Sequence, residues 1–175
     1  MAPLRWGTLF LAICASAPHA KPEEPSEYKV KAAFLMNFTK FVEWPPSAFA
    51  DSSSPLTICV IGDDPFGSDL DQAVEGETAG GRRLAVQRMR RTPAPKTCQV
   101  LFIPRNEKGT AELLQAAGPG VLTVGDRDNF LSEGGMVTFV LHARHVRFDI
   151  NLPAASKAGL TISARLLAVA RAVLR

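Results

Sequence analysis

Metal-binding side chains are scarce in this chain: three cysteines and three histidines are spread over 175 residues. Outside the first twenty residues the only histidines are His142 and His145, at an expected turn with no cysteine near them. That spacing offers no tetrahedral metal set. No Gly-x-Gly-x-x-Gly follows an apolar run, so a dinucleotide site is unsupported. Gly62-Asp63-Asp64-Pro65-Phe66-Gly67 spaces its glycines differently, and Pro65 removes a backbone donor. Nothing reads Gly-x-Ser-x-Gly, and no serine, histidine and aspartate form a set with a placed nucleophile. These absences point away from enzymatic activity and from a bound cofactor. Excess charge is scarce too: 20 Lys and Arg against 17 Asp and Glu leave a net charge of +3, which gives no electrostatic case for nucleic acid. Beyond the first twenty residues no apolar run is long enough to cross a bilayer.

What is present at the start is an address. Residues 1–6 carry one charge, Arg5. An apolar run over 9–15 follows, and small residues close the region at Ala15-Ser16-Ala17 and Ala20. This is the layout of a bacterial secretory signal peptide, with cleavage expected after Ala20 because cutting after Ala17 would put Pro18 on the leaving side. A lipoprotein signal at Leu11-Ala12-Ile13-Cys14 is the poorer reading, since Ile13 is bulky where a small residue belongs. Export to the periplasm leaves residues 21–175, a length that suits a single domain. Cys14 departs with the leader, so Cys59 and Cys98 remain. In an oxidising compartment such a pair most often forms a structural disulfide; a redox-responsive pair and a metal site are the competing readings.

From Ser26, a reasonable N-cap, Tyr28, Ala32, Leu35, Phe38 and Val42 recur with helical period until Pro45-Pro46. Phe34 and Phe41 widen the apolar arc. An apolar strand over 56–61 leads through Asp64-Pro65 into a helix over 65–75. A strand over 83–89, a strand over 100–103, a helix over 106–117, a strand over 121–124 and a short helical piece over 129–132 follow. Residues 136–141 and 145–150 read as an antiparallel hairpin. Asn151 caps a short helix, and a last helix from Ser163 is expected to turn Leu166, Leu167, Ala170, Val173 and Leu174 inward, with Arg171 and Arg175 complementing its dipole. Strand–helix alternation followed by a hairpin predicts an α/β three-layer sandwich on a mixed, mostly parallel sheet. If Cys59 and Cys98 are bonded, their strands are neighbours, which favours a flavodoxin-like order.

Three places could carry function. Asp63 and Asp64 suggest a phosphoacceptor's cation site, but the third strand ends Ile103-Pro104-Arg105 without the aspartate such a site needs; helix-capping acids are the plainer reading. Arg82, Arg83, Arg88, Arg90 and Arg91 cluster around the second strand, either as charges that protect an edge or as a docking patch for an acidic partner or anionic lipid. Phe34, Phe41 and Trp44 on the aromatic helix read mainly as core, with part of the arc open to a partner or a homodimer. A periplasmic small-ligand domain is the alternative, its cleft lined by 62–66, 104–106 and 125–128 at the carboxyl ends of the strands.

Two stretches go beyond generic patterning. Tyr28-Lys29-Val30-Lys31-Ala32-Ala33-Phe34-Leu35-Met36-Asn37-Phe38-Thr39-Lys40-Phe41-Val42-Glu43-Trp44-Pro45 resembles the opening helix of the YfiR family of periplasmic signalling repressors. Gly134-Gly135-Met136-Val137, then Arg147-Phe148-Asp149-Ile150-Asn151-Leu152 and Ala158-Gly159-Leu160-Thr161-Ile162-Ser163-Ala164-Arg165-Leu166-Leu167, resemble its closing hairpin and helix. Cys59 and Cys98 match the family's disulfide positions. The resemblance implies a regulator that binds the periplasmic sensor domain of an inner-membrane diguanylate cyclase and holds it inactive, so that release raises cyclic di-GMP and favours biofilm growth. It also implies an outer-membrane peptidoglycan-associated lipoprotein that sequesters the repressor, and it admits a sensor kinase in place of the cyclase. Some members carry a second cysteine pair near the hairpin; Leu131 and Thr138 stand in that neighbourhood here, which leaves one bridge.

Overall fold

The computed structural model describes residues 26–90 and 96–175. The expected leader over 1–20 and Arg91 lie outside the described residues. Helix α1 (Glu27–Phe41) starts where Ser26 Oγ accepts a hydrogen bond from the Lys29 amide at 3.2 Å. It ends at Phe41, ahead of the prolines, as Val42 turns extended. Strand β1 (Val42–Glu43) then pairs antiparallel with a later segment. Next come β2 (Leu56–Ile61), α2 (Ser68–Val74), β3 (Thr78–Ala79), β4 (Arg82–Met89), β5 (Val100–Ile103), α3 (Thr110–Ala117) and β6 (Leu122–Gly125). The chain closes with β7 (Val137–His142), β8 (His145–Asn151), α4 (Leu152–Lys157), β9 (Thr161–Ile162), α5 (Ala164–Val169) and β10 (Ala172–Leu174).

The main sheet has the order β10-β8-β7-β6-β5-β2-β4-β3, and β1 pairs with β9 apart from it. From β4 to β7 every pairing is parallel, while the β7–β8 and β3–β4 pairs are antiparallel. Strand β2 lies between β4 and β5, which is the flavodoxin-like order. The central strands are buried on both faces, as parallel strands under helices must be, and alternate residues feed different cores. Ile58, Val60, Val100, Phe102, Leu122 and Val124 join a cluster with α1, α2, α4 and α5. Cys59, Ile61, Leu101 and Ile103 join a smaller one with Phe130 and the inner side of α3. Helices thus cover both faces, and the fold is a three-layer α/β sandwich.

Four boundaries differ from the sequence reading, each for a local reason. Helix α2 begins at Ser68, not Pro65, because Asp64 Oδ1 accepts from the Phe66 amide at 2.8 Å, forming a turn, and Phe66 is buried with its ring centroid 4.7 Å from that of Phe102. Helix α3 begins at Thr110 because Gly109 is left-handed, with φ +70°. Residues 129–132 form turns instead of a helix, wrapped around buried Phe130; a Cβ on Gly135 would lie 2.2 Å from its ring. The last helix stops at Val169, and residues 172–174 become β10, parallel to β8. Arg171 is not a dipole partner: its guanidinium forms a two-pronged ion pair with Asp149 on β8, with Nε 2.8 Å from Oδ1. Val173 is consequently only half-buried, and Leu174 is 45% exposed.

Cys59 and Cys98 are bonded, with Cα atoms 5.8 Å apart and both residues buried. The bridge ties β2 to the entry of β5 and fits an oxidising compartment. It closes a separation of 39 residues, for which chain entropy gives about 4 kcal/mol. Replacing both cysteines with alanine is therefore expected to lower Tm by roughly 10 °C; thermal denaturation followed by circular dichroism checks this, and an unchanged Tm would contradict it.

Candidate functional site

The turns that leave β2, β5 and β6 meet at the carboxyl edge of the sheet, where an open α/β fold ordinarily receives a ligand. Here the first turn of α1 lies over that edge. Lys31, 1% exposed, points its ammonium at Asp126 Oδ2 (2.7 Å) and at Glu27 Oε1 (2.5 Å). Tyr28 Oη donates to the same Asp126 oxygen at 3.0 Å, and Arg105 Nη2 lies 3.3 Å from it and 3.1 Å from Glu27 Oε1. The Lys31 ammonium also sits 4.3 Å from the centre of the Tyr28 ring, a cation–π distance. Asp126 Oδ1 is buried with no hydrogen-bond partner among the described residues.

The electrostatics follow from this crowding. Burial pushes the Tyr28 hydroxyl up to about 12, reinforced by the Asp126 carboxylate and the hydrogen bond to it. Burial pulls the Arg105 guanidinium down, but Asp126, Tyr28 and Glu27 more than offset it, and Arg105 ends above its ordinary value. The Lys31 ammonium is directed at two carboxylates and a ring, an arrangement that locks a helix in place rather than presenting a nucleophile. Neighbouring space is filled as well: a Cβ on Gly62 would fall 1.8 Å from Glu107 Oε2, and the Phe66 ring packs edge-on against Tyr28 at 5.6 Å. The three loops expected to line a small-ligand cleft do come together, with side chains of α1 and of the loops themselves packed between them.

The arginines of β4 are not brought into one patch. The Arg82 guanidinium stacks 3.7 Å over the Phe49 ring and donates to the carbonyls of Asp51 and Ser54. Arg88 sits about 20 Å further along the strand and pairs with Asp64 at 2.6 Å and with both oxygens of Asp71. Those bonds raise Arg88 above the usual arginine range and hold Asp71 below the usual carboxylate range. Arg83 and Arg90 are exposed, and Arg91 lies outside the described residues. Asp64, one of the two candidate phosphoacceptor acids, is thus engaged as a turn former and ion-pair partner.

Of the three aromatic candidates, Trp44 donates its indole N–H to the Gln99 carbonyl at 3.0 Å, and Phe41 is half-buried against the core. Phe34 packs with Phe38, Phe139 and Phe148 at centroid distances of 5.4–6.2 Å. Its outer edge reaches a groove of about 820 Å³ between α1 and the β7–β8 hairpin. The sequence reading missed Lys31 and Asp126. The signal was present, since Lys31 falls inside the arc from Tyr28 to Leu35 and follows Glu27 by four residues, the favourable order for a helical ion pair.

With this geometry in hand, comparison with known proteins gives a family. A family model described as YfiR/HmsC-like matches residues 28–171, a span that runs from the first turn of α1 to the residue before β10. The chain belongs to the YfiR/HmsC-like family. No curated protein matches it.

Two outcomes test the cluster. Tyr28 is the only tyrosine in the chain, so absorbance at 295 nm after rapid pH jumps reports it alone. The native midpoint is expected about two units above that of the chain unfolded in denaturant, close to 12 against about 10. Because the folded value is the higher, this contribution to stability is complete below pH 10 and is lost between pH 10 and 12. Lys31→Ala should cost about 3–5 kcal/mol by leaving the Asp126 charge buried without its main partner, whereas Lys31→Met combined with Asp126→Leu should restore much of that loss. Urea denaturation of the three proteins measures both.

Proposed function

We propose that this protein is a non-enzymatic periplasmic regulator that represses an inner-membrane diguanylate cyclase, or a related receptor such as a sensor kinase, by binding its periplasmic sensor domain. The observation that carries this reading is the family match over residues 28–171. Two further facts support it. The disulfide suits the periplasm, and the most buried charged cluster ties α1 to the sheet rather than facing substrate. An outer-membrane peptidoglycan-associated lipoprotein that sequesters the regulator completes the circuit.

Repression by contact is a population shift. A regulator that binds the inactive receptor more tightly than the active one moves the equilibrium by the ratio of the two affinities and by no more. Tenfold repression needs about 1.4 kcal/mol of preference, and near-complete silencing about 5.5 kcal/mol. The test is cyclic di-GMP output in cells lacking the gene. Loss should raise it several-fold, and re-expression with a leader peptide should restore the low level, whereas a leaderless version should not. Unchanged cyclic di-GMP and no retention of the purified protein on the receptor's periplasmic domain would remove the reading.

A further inference from the structure

We propose that the outer edge of β4 pairs with the same edge of a second copy of this chain, antiparallel across a two-fold axis, so that their main sheets join into one. This goes beyond the receptor reading and does not rest on it. Strand β3 covers only the start of the edge: its pairing ends at Thr78–Arg83, and the Glu77 carbonyl accepts the Leu84 amide at 3.0 Å. Further along, Met89 turns its carbonyl the other way, to the Gly62 amide at 2.9 Å, on the β2 side. Backbone groups alternate sides along a strand. Val86 and Arg88 therefore present N–H and C=O to the open side, where no strand pairs with them among the described residues. Such a row is a template for another strand. The usual protections are missing: residues 82–90 contain no proline, and the Arg88 guanidinium is folded back onto Asp64 and Asp71. The opposite edge of the sheet, β10, is only three residues long.

Charge selects the occupant. Beside the open edge lies a groove of about 780 Å³, lined by Val74 of α2 and by Leu84 and Val86. Two of its acids, Asp71 and Glu77, are paired with Arg88 and Lys40. Glu75, at the Leu84 end, makes no ion pair among the described residues, and neither does exposed Arg90 at the other end. Arg83 also borders the groove, but it belongs with Met89 to the alternate set of β4 side chains, on the face away from α2. A two-fold interface must be self-complementary, and an edge with opposite charges at its two ends is. Centring the axis at Arg88 sets Val86 opposite Arg90 of the second copy, beside Glu75, and the match repeats across the axis. The two Arg88 side chains meet there with their charges already answered by Asp64 and Asp71. Three facing residue pairs then exchange about six main-chain hydrogen bonds. An acidic strand from another protein would instead bring like charge to Glu75.

The test is sedimentation velocity on the mature chain, residues 21–175, from about 1 to 200 μM. The mass should rise to that of a dimer with concentration. Val86→Pro removes an outward N–H without touching the β2 ladder and should raise the dimer Kd by roughly tenfold or more. Arg90→Glu and Glu75→Arg should each weaken the dimer about tenfold, with Tm moved by no more than about 2 °C. Combining the two should restore most of the wild-type affinity, a rescue that a folding defect would not give. Leu174→Glu, on β10, should dimerise like wild type. A wild-type chain that stays monomeric throughout, a dimer indifferent to the β4 substitutions, or a charge swap without rescue would each overturn the proposal. No receptor enters the measurement, so its failure leaves the repressor reading standing.

Discussion

A buried ammonium in the middle of an apolar helical arc is costly unless its partners are fixed, and the arrangement of this fold around Lys31 follows from that constraint. Its main partner, Asp126, lies just past the end of β6, on the far side of the sheet's carboxyl edge in sequence but adjacent in space. Satisfying the pair fixes the height and rotation of α1 over the sheet. Once α1 is placed, Tyr28 and Arg105 close around the same carboxylate, and Phe34 and Phe38 meet the hairpin aromatics. At its far end the chain extends as β1 to pair with β9. A buried ion pair adds little net stability compared with apolar residues of the same shape; its effect here is to specify one register for a helix whose hydrophobic stripe is broad enough to slide.

The disulfide and the Lys31 cluster act on opposite sides of the sheet. Cys59 belongs to the smaller core under α3, whereas α1 covers the larger one. The bridge constrains β2 and the entry to β5, which are already parallel neighbours. It therefore reinforces a pairing the sheet makes anyway, chiefly by restricting the unfolded chain. The hairpin and the groove beside it depend on α1 instead, so loosening the bridge and loosening α1 are separable perturbations.

The central strands were legible because a parallel sheet buried on both faces writes near-continuous apolar runs, as Val100–Ile103 shows. The strand order was legible through the cysteines, since a bond between them leaves little freedom for β2 and β5. Helix starts were misread where one residue overrode the pattern: the Asp64 turn delays α2, and left-handed Gly109 delays α3. Strand β10 was hidden because Ala172–Leu174 fits the end of an amphipathic helix equally well, and only Asp149, distant in sequence, reveals what Arg171 is for. The buried cluster was half legible. Lys31 is conspicuous within its arc, but nothing near Asp126 in the sequence says that it will be the partner.

Arginines close in sequence need not share one surface. Arg82 and Arg88 look like the centre of a basic patch, yet each has carbonyl or carboxylate partners and fastens a neighbouring segment to β4. Arg88, paired with Asp64 and Asp71, has little potential left with which to steer a partner, whereas the carbonyls around Arg82 fix its geometry without cancelling its charge. Arg147 differs: it stands opposite Val140, three residues beyond the left-handed Arg144, beside apolar side chains. The β7–β8 hairpin stacks on α1 through Phe139 and Phe148, and α1 is itself keyed by Lys31, so helix and hairpin form one packed unit.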